Sequence, residues 1–183
     1  MLYPTLVSTD DELHQILHLQ QLYLRGNNDA TEEKEQGFVT VHHSFELLSQ
    51  LHQLSPSIIV KNDDKVVAYA LTMVNECRPL IPVLIPMFEM FDKINYNGKL
   101  LHEYKFYVMG QIGVHKDYRG KGLVQMLYDK HKEVYSPQYD FIVTEIATRN
   151  TRSIRAHEKI GFKTIHHFTD ATDDWDIVLW DWK

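Results

Sequence analysis

Polar and apolar positions along the chain alternate between two periods, and the longest regular stretches lie past its middle. Phe106 to Val114 is a nearly unbroken apolar run of strand length, as expected of a strand buried on both faces. Behind it, Leu123, Met126, Leu127, Lys130 and Val134 fall along one face of a helix that would end near Ser136-Pro137. Phe141 to Ala147 is a second buried run. Nearer the start, Leu2 to Val7 reads as a strand, and Thr9-Asp10-Asp11-Glu12 is a capping box for a helix that buries Leu13, Ile16, Leu17 and Leu24. A further helix over His42 to Leu54 carries Phe45, Leu48 and Leu51 at helical spacing.

The remaining segments complete a sheet. Ser57 to Lys61 and Lys65 to Val74 read as strands joined by the tight turn Asn62-Asp63-Asp64. Lys163 to Phe168 and Trp175 to Trp182 read as closing strands around the acidic turn Asp170 to Asp174. Pro79 to Ile94, with Pro82 and Pro86, suggests an insertion holding a short helix, open to roles as a hydrophobic lid, a dimer surface or plain packing. The polar stretch Gly26 to Gly37 is the expected mobile loop, and Asn95-Tyr96-Asn97-Gly98 marks a turn. This order of elements predicts one α+β domain over residues 1–183, with a mixed, mainly antiparallel sheet and helices on both faces.

Between the strand ending at Val114 and the following helix stands His115-Lys116-Asp117-Tyr118-Arg119-Gly120-Lys121-Gly122-Leu123-Val124. A strand, a glycine-bearing loop and a helix N-terminus together direct backbone N–H groups at an anion. Glycine lets the backbone approach a phosphate closely, and Arg119 and Lys121 add positive charge. The P-loop pattern fails because Gly122 follows Gly120-Lys121 and His115 replaces the first glycine. The dinucleotide fingerprint fails at Gln125.

What remains, Arg119-Gly120-Lys121-Gly122-Leu123-Val124, resembles the R/Q-x-x-G-x-G/A signature of the GCN5-related N-acetyltransferase (GNAT) family. A second stretch, Asn150-Thr151-Arg152-Ser153-Ile154-Arg155-Ala156-His157-Glu158-Lys159-Ile160-Gly161-Phe162, is similar to that family's other cofactor segment, where an Asn opens a helix closing on x-E-K-x-G-F. The resemblance is close over about residues 106 to 168. It implies a three-layer acyl-CoA N-acyltransferase fold whose strands holding Val114 and Ile142 run parallel and splay apart to admit pantetheine. It also implies transfer of an acetyl group from acetyl-CoA, as co-substrate, to a primary amine.

The resemblance assigns the site residues. Backbone N–H groups of Arg119, Gly120, Lys121, Gly122, Leu123 and Val124 would face the pyrophosphate, although Val124 departs from the usual Gly or Ala. Main-chain atoms of Ile112 and Val114 would pair with pantetheine as an added strand. Asn150 would contact the cofactor, cap its helix, or do both. His157 stands where the family usually has Tyr, and would return a proton to the departing thiolate or simply pack beside Ile154 and Ile160. Tyr128 and Tyr135 lie off that position and read as surface residues. Burial, and not the resemblance, singles out Glu145: a carboxylate inside a buried strand would be the general base, directly or through water, or the partner of Arg149, Arg152 or another nearby cation. Gln111 and Tyr107 are orienting candidates, and Glu76 and Glu103 are further carboxylates at strand ends.

Composition narrows the rest. The 183 residues carry a net charge of -6, which disfavours nucleic acid as a partner, and no basic stretch is interleaved with aromatics. The longest apolar run is too short to span a bilayer, Met1 to Val7 has no leader pattern, and the one cysteine, Cys77, suits a reducing compartment, so a cytoplasmic protein is expected. Cys77 lies outside both motifs, which favours direct attack by the amine over a covalent enzyme intermediate. Of the 11 histidines, His14 and His18 share a helix face but lack further ligands, so no metal is expected. The acceptor is expected to be a small-molecule amine, with a homodimer through the tryptophan-bearing strand left open. The rival readings are a non-catalytic acyl-CoA-binding sensor or structural protein of the same fold, and a transferase for a longer acyl group.

Overall fold

The computed structural model describes residues 1–23 and 42–183, so the expected loop Gly26 to Gly37 and Leu24 lie outside the described residues. The elements run β1 (Leu2–Leu6), α1 (Asp10–Tyr23), α2 (Phe45–Leu54), β2 (Ile58–Asn62), β3 (Lys65–Met73), α3 (Ile85–Phe91), β4 (Asn95–Tyr96) and β5 (Lys99–Leu100). They continue with β6 (Phe106–Val114), α4 (Leu123–Tyr135), β7 (Phe141–Ala147), α5 (Thr151–Ile160), β8 (Lys163–Thr169) and β9 (Asp174–Asp181). The main sheet has seven strands in the order β1-β2-β3-β6-β7-β9-β8. Its pairs are antiparallel except β6 with β7, which is parallel. No helix among the described residues is long and apolar enough to cross a membrane.

The local signals act as their chemistry requires. Thr9 Oγ1 accepts from the Glu12 N–H at 3.3 Å while the Glu12 carboxylate accepts from the Thr9 N–H at 3.2 Å, closing the capping box. The same carboxylate holds Lys61 at 2.8 Å, which ties α1 to β2. Ser44 Oγ caps α2 by accepting from the Leu47 N–H.

Neighbouring residues of β6 show that helices cover both faces. Phe106 meets Phe91 of α3, and Tyr107 stacks near His131 of α4. The insertion buries Met87, Phe88 and Phe91, and Tyr96 and Tyr104 pack on Phe141. All of this lies at the N-terminal ends of β6 and β7, so it is packing and not a lid over their C-terminal ends. Along α4 the buried positions are Leu123, Leu127, Tyr128, His131 and Tyr135. The face is rotated from the expected one, because Tyr and His ring area drives burial as strongly as aliphatic area does.

The register of β3 against β6 slips between Ala70 and Thr72: Ala70 faces Ile112, but Thr72 faces Met109. The extra residue makes a bulge at Gly110-Gln111 and re-aims the end of β6. A Cβ on Gly110 would sit 2.0 Å from Met73 Sδ, so this position admits no side chain without displacing Met73. After the bulge, Ile112 and Val114 share the α4 face, whereas Gln111 joins Tyr69 on the other and accepts its hydroxyl hydrogen at 2.7 Å.

Candidate active site

The parallel ladder joins Phe106 to Phe141, Tyr107 to Ile142 and Val108 to Val143, and then stops. At the next position the Thr144 hydroxyl donates to the Met109 carbonyl at 2.8 Å, and beyond it the two strands part. α4 follows β6 and α5 follows β7, so both helices begin where the strands separate. A cavity of about 730 Å³ opens there.

The cradle follows from the glycines. Gly120 and Gly122 take φ +76° and +78°, a left-handed conformation that side chains resist, and a Cβ on either would project into open space. Gly122 is the N-cap of α4 and offers no side-chain acceptor. The first intrahelical bond runs from the Met126 N–H to the Gly122 carbonyl, so the N–H groups of Leu123, Val124 and Gln125 have no partner within the helix. These uncapped donors, at the positive end of a helix dipole, form an anion cradle. Arg119 is held beside it by Tyr23, whose ring lies 4.6 Å from the guanidinium and whose hydroxyl accepts from the Lys116 N–H at 2.7 Å.

The strand edge is equally suited to a ligand. His115 N–H bonds back to Val67 of β3, so alternation turns the N–H and C=O groups of Val114 and Ile112 toward the gap left by β7. In this state Arg119 Nε donates to the Val114 carbonyl at 3.3 Å. On the opposite wall, Asn150 Oδ1 caps α5 by accepting from the Ser153 N–H at 3.3 Å, leaving its amide hydrogens for a ligand.

Of the residues picked from sequence, Ile112, Val114, Arg119, Gly120, Gly122, Leu123, Val124, Asn150 and His157 line this single cavity. Lys121 lies outside the lining, its ammonium 4.8 Å from the Tyr118 ring. Glu145 also lies outside it. Alternation along β7 sets Glu145 with Phe141 and Val143 on the face opposite the cavity helices. Arg149 engages Asp173 at 2.6 Å, and no hydrogen bond or ion pair reaches the Glu145 carboxylate among the described residues. Burial, with the nearby Asp170 charge added, pushes its pKa up to about 7.

His157 is 2% exposed, and burial lowers its pKa to about 4. Its Nδ1 donates to the Ser153 carbonyl at 2.7 Å, and its Nε2 lies 2.6 Å from the Tyr128 hydroxyl. Neither Tyr128 nor Tyr135 is a surface residue: they are 0% and 4% exposed. The spacing of Tyr128, His131 and Tyr135 at i, i+3 and i+7 was the available signal. Tyr107, an expected orienting residue, instead bonds His131 Nδ1 at 2.9 Å within the core.

Sequence reading also missed α5's cations. Arg152, Arg155 and Lys159 join Arg119 in the cavity wall, and no carboxylate among the described residues lines it, although the chain has 25 acidic residues against 19 basic ones. Such a wall suits a strongly anionic ligand.

Comparison with known proteins identifies the family and the fold. No curated protein sequence matches the chain, but the profile of the acetyltransferase (GNAT) family matches residues 13–162. Among solved structures, the ribosomal-protein-S18-alanine N-acetyltransferase from Escherichia coli superposes with TM-score 0.64 at 16% identity, covering 99% of this chain and 94% of that one. An N-acetyltransferase from Staphylococcus aureus Mu50 gives TM-score 0.65 at 16% identity over 100% and 99% of the two chains. YncA of Salmonella typhimurium, solved with its cofactor acetyl-CoA, gives 0.62 at 14% identity over 100% and 95%. At such identities the structural likeness speaks for the fold, and the profile match supplies the family. The chain belongs to the GNAT family of acetyltransferases.

Proposed function

We propose that this protein transfers an acetyl group from acetyl-CoA to the primary amine of a small molecule. The observation that carries the reading is the uncapped N-terminus of α4, whose N–H groups, without partners among the described residues, meet the open β6 edge in one cavity. A pyrophosphate fits the cradle, and an amide-bearing arm fits the edge of Ile112 and Val114, with Arg119 moving off the Val114 carbonyl. The added cations of α5 favour a ligand with more phosphate than a pyrophosphate alone.

The chemistry is divided between the two sides of the split. Glu145, unpaired among the described residues and with its pKa near neutrality, takes a proton from the substrate ammonium. Gln111 and Tyr69, hydrogen-bonded to each other on the same face, orient the amine. The amine nitrogen attacks the thioester carbonyl carbon, the C–S bond breaks, and the second nitrogen-bound proton passes to the departing thiolate. Cys77 takes no part: it is buried, and its pKa is pushed up to about 11, so thiolate is scarce at neutral pH. A reducing cytoplasmic setting suits that free thiol.

The test is calorimetric titration with acetyl-CoA, followed by thiol release across a panel of small amines and peptide N-termini. Saturable binding with amine-dependent thiol release supports the reading; release with peptides alone would replace the small-molecule acceptor by a protein one. Binding without release by any amine would favour a non-catalytic acyl-CoA sensor, a reading to which the fully bonded His157 lends weight. Faster turnover of propionyl- or succinyl-CoA would identify a longer acyl donor. No binding by folded protein would overturn the cofactor assignment.

A further inference from the structure

We infer that His157 and Tyr128 form a tie that fixes the spacing of α4 and α5, and that His157 acts in the site as a positioning residue and not as a proton donor. The inference rests on reading the cavity between these helices as the cofactor cleft.

The bonds of the imidazole lead to this assignment. A carbonyl oxygen only accepts, so the 2.7 Å approach of His157 Nδ1 to the Ser153 carbonyl puts the ring hydrogen on Nδ1. The neutral ring then carries its lone pair on Nε2, where the Tyr128 hydroxyl donates across 2.6 Å. Both nitrogens are engaged within the protein, and neither has an N–H to offer the cavity. The depressed basicity of the buried ring favours the same neutral form.

The partner is held as firmly. Tyr128 is fully buried, with ring centroids 4.9 Å from Phe162 and 6.0 Å from Trp180. At the end of α5, Gly161 has φ +115°, and a Cβ there would sit 3.1 Å from Trp180 Nε1, so the helix terminus is seated directly on β9. The tie therefore crosses from α4 to the middle of α5, with Ser153, Ala156 and Ile160 on the cavity wall around it. A change in helix spacing would move Asn150 and Arg155 relative to the N–H cradle of α4. Cofactor affinity, more than the chemical step, is what the tie protects.

The test has two arms. Nitrogen-15 NMR of the wild-type imidazole should show the neutral Nδ1–H tautomer for His157, without titration between pH 5.5 and 8; an Nε2–H tautomer or a titration near neutrality overturns the proposal. In the second arm, Tyr128→Phe, which removes one buried hydrogen bond, should weaken acetyl-CoA binding about tenfold, and His157→Ala, which removes two, by at least as much, with kcat retained within about threefold and its pH profile unchanged in both. A fall in kcat of about 100-fold or more in His157→Ala with binding unchanged would overturn it, since that is the range of general acid catalysis. If His157→Ala does not fold, Tyr128→Phe, which removes one oxygen, decides the second arm. If the wild type binds no acetyl-CoA, the cofactor reading fails; the NMR arm and hydrogen exchange of α5 in Tyr128→Phe then decide the tie, with unchanged exchange counting against it.

Discussion

Thr144 donates its hydroxyl hydrogen to the main-chain oxygen of Met109, 2.8 Å away, at the first position where β6 and β7 cease to pair. A side chain thus replaces a ladder bond and marks the apex of the split. Thr144→Val keeps the shape and leaves the buried carbonyl without its donor. It should lower unfolding free energy by about 1–2 kcal/mol. Urea denaturation of the two proteins measures this, and an unchanged midpoint would show that water satisfies the carbonyl equally well.

Glu145 should govern the pH dependence of turnover. Only its ionised form accepts a proton, so kcat/KM should rise with pH through about 7 and then level off. Glu145→Gln should lower kcat by about 100-fold or more and remove this limb. Stability should move the other way. The folded-state pKa is raised, so the carboxyl favours folding below about 4.5, and that contribution is lost as pH climbs through 7. Glu145→Gln should therefore raise Tm more at pH 8 than at pH 5, which paired thermal melts would establish.

Buried histidines should make the fold acid-sensitive before most carboxylates titrate. His43 and His157 have pKa values lowered to about 4, and His131 to about 3, each by burial. Their unfolded forms bind protons near 6.5, so the stability they contribute is present above that pH and is lost as pH falls toward 4. Chemical denaturation at pH 7, 5.5 and 4.5 should show a steady decline. A flat profile would mean that these rings are not neutral in the folded protein.

Gly122 sets the cradle. Gly122→Trp should abolish acetyl-CoA binding because the side chain projects into the open space that the N–H groups face. The fold should persist, at a cost of about 1–2 kcal/mol for a side chain in the left-handed region. Calorimetry together with circular dichroism separates the two effects; a folded variant that binds normally would remove the loop from the site.

Arg155 and Lys159 lie one helical turn apart in the cavity wall, and neither has a carboxylate partner among the described residues. The double variant Arg155→Gln, Lys159→Gln should bind acetyl-CoA about tenfold more weakly and lose any preference for it over the 3′-dephospho form. Retained preference would place the third phosphate elsewhere.

The sequence by itself determined the elements and the cradle. Period and punctuation located β6 at Phe106–Val114 and the ends of α4 and α5, because burial on two faces, glycine at positive φ and an N-capping Asn leave local marks. The motif around Gly120 and Gly122 was legible for the same reason: an uncapped helix start needs only neighbouring residues. What tertiary structure decided depends on pairs distant in the chain. The bulge at Gly110-Gln111 arises from register against β3, and it alone sends Ile112 to one face and Gln111 to the other. Glu145 has no hydrogen-bonding or ionic partner among the described residues, and Arg149 reaches Asp173 instead. His157 faces the cavity wall, yet its two nitrogens are spoken for by Ser153 and Tyr128, the latter 29 residues away. A titratable side chain's chemistry is set by the partners that folding brings to it, and spacing along the chain does not carry that information.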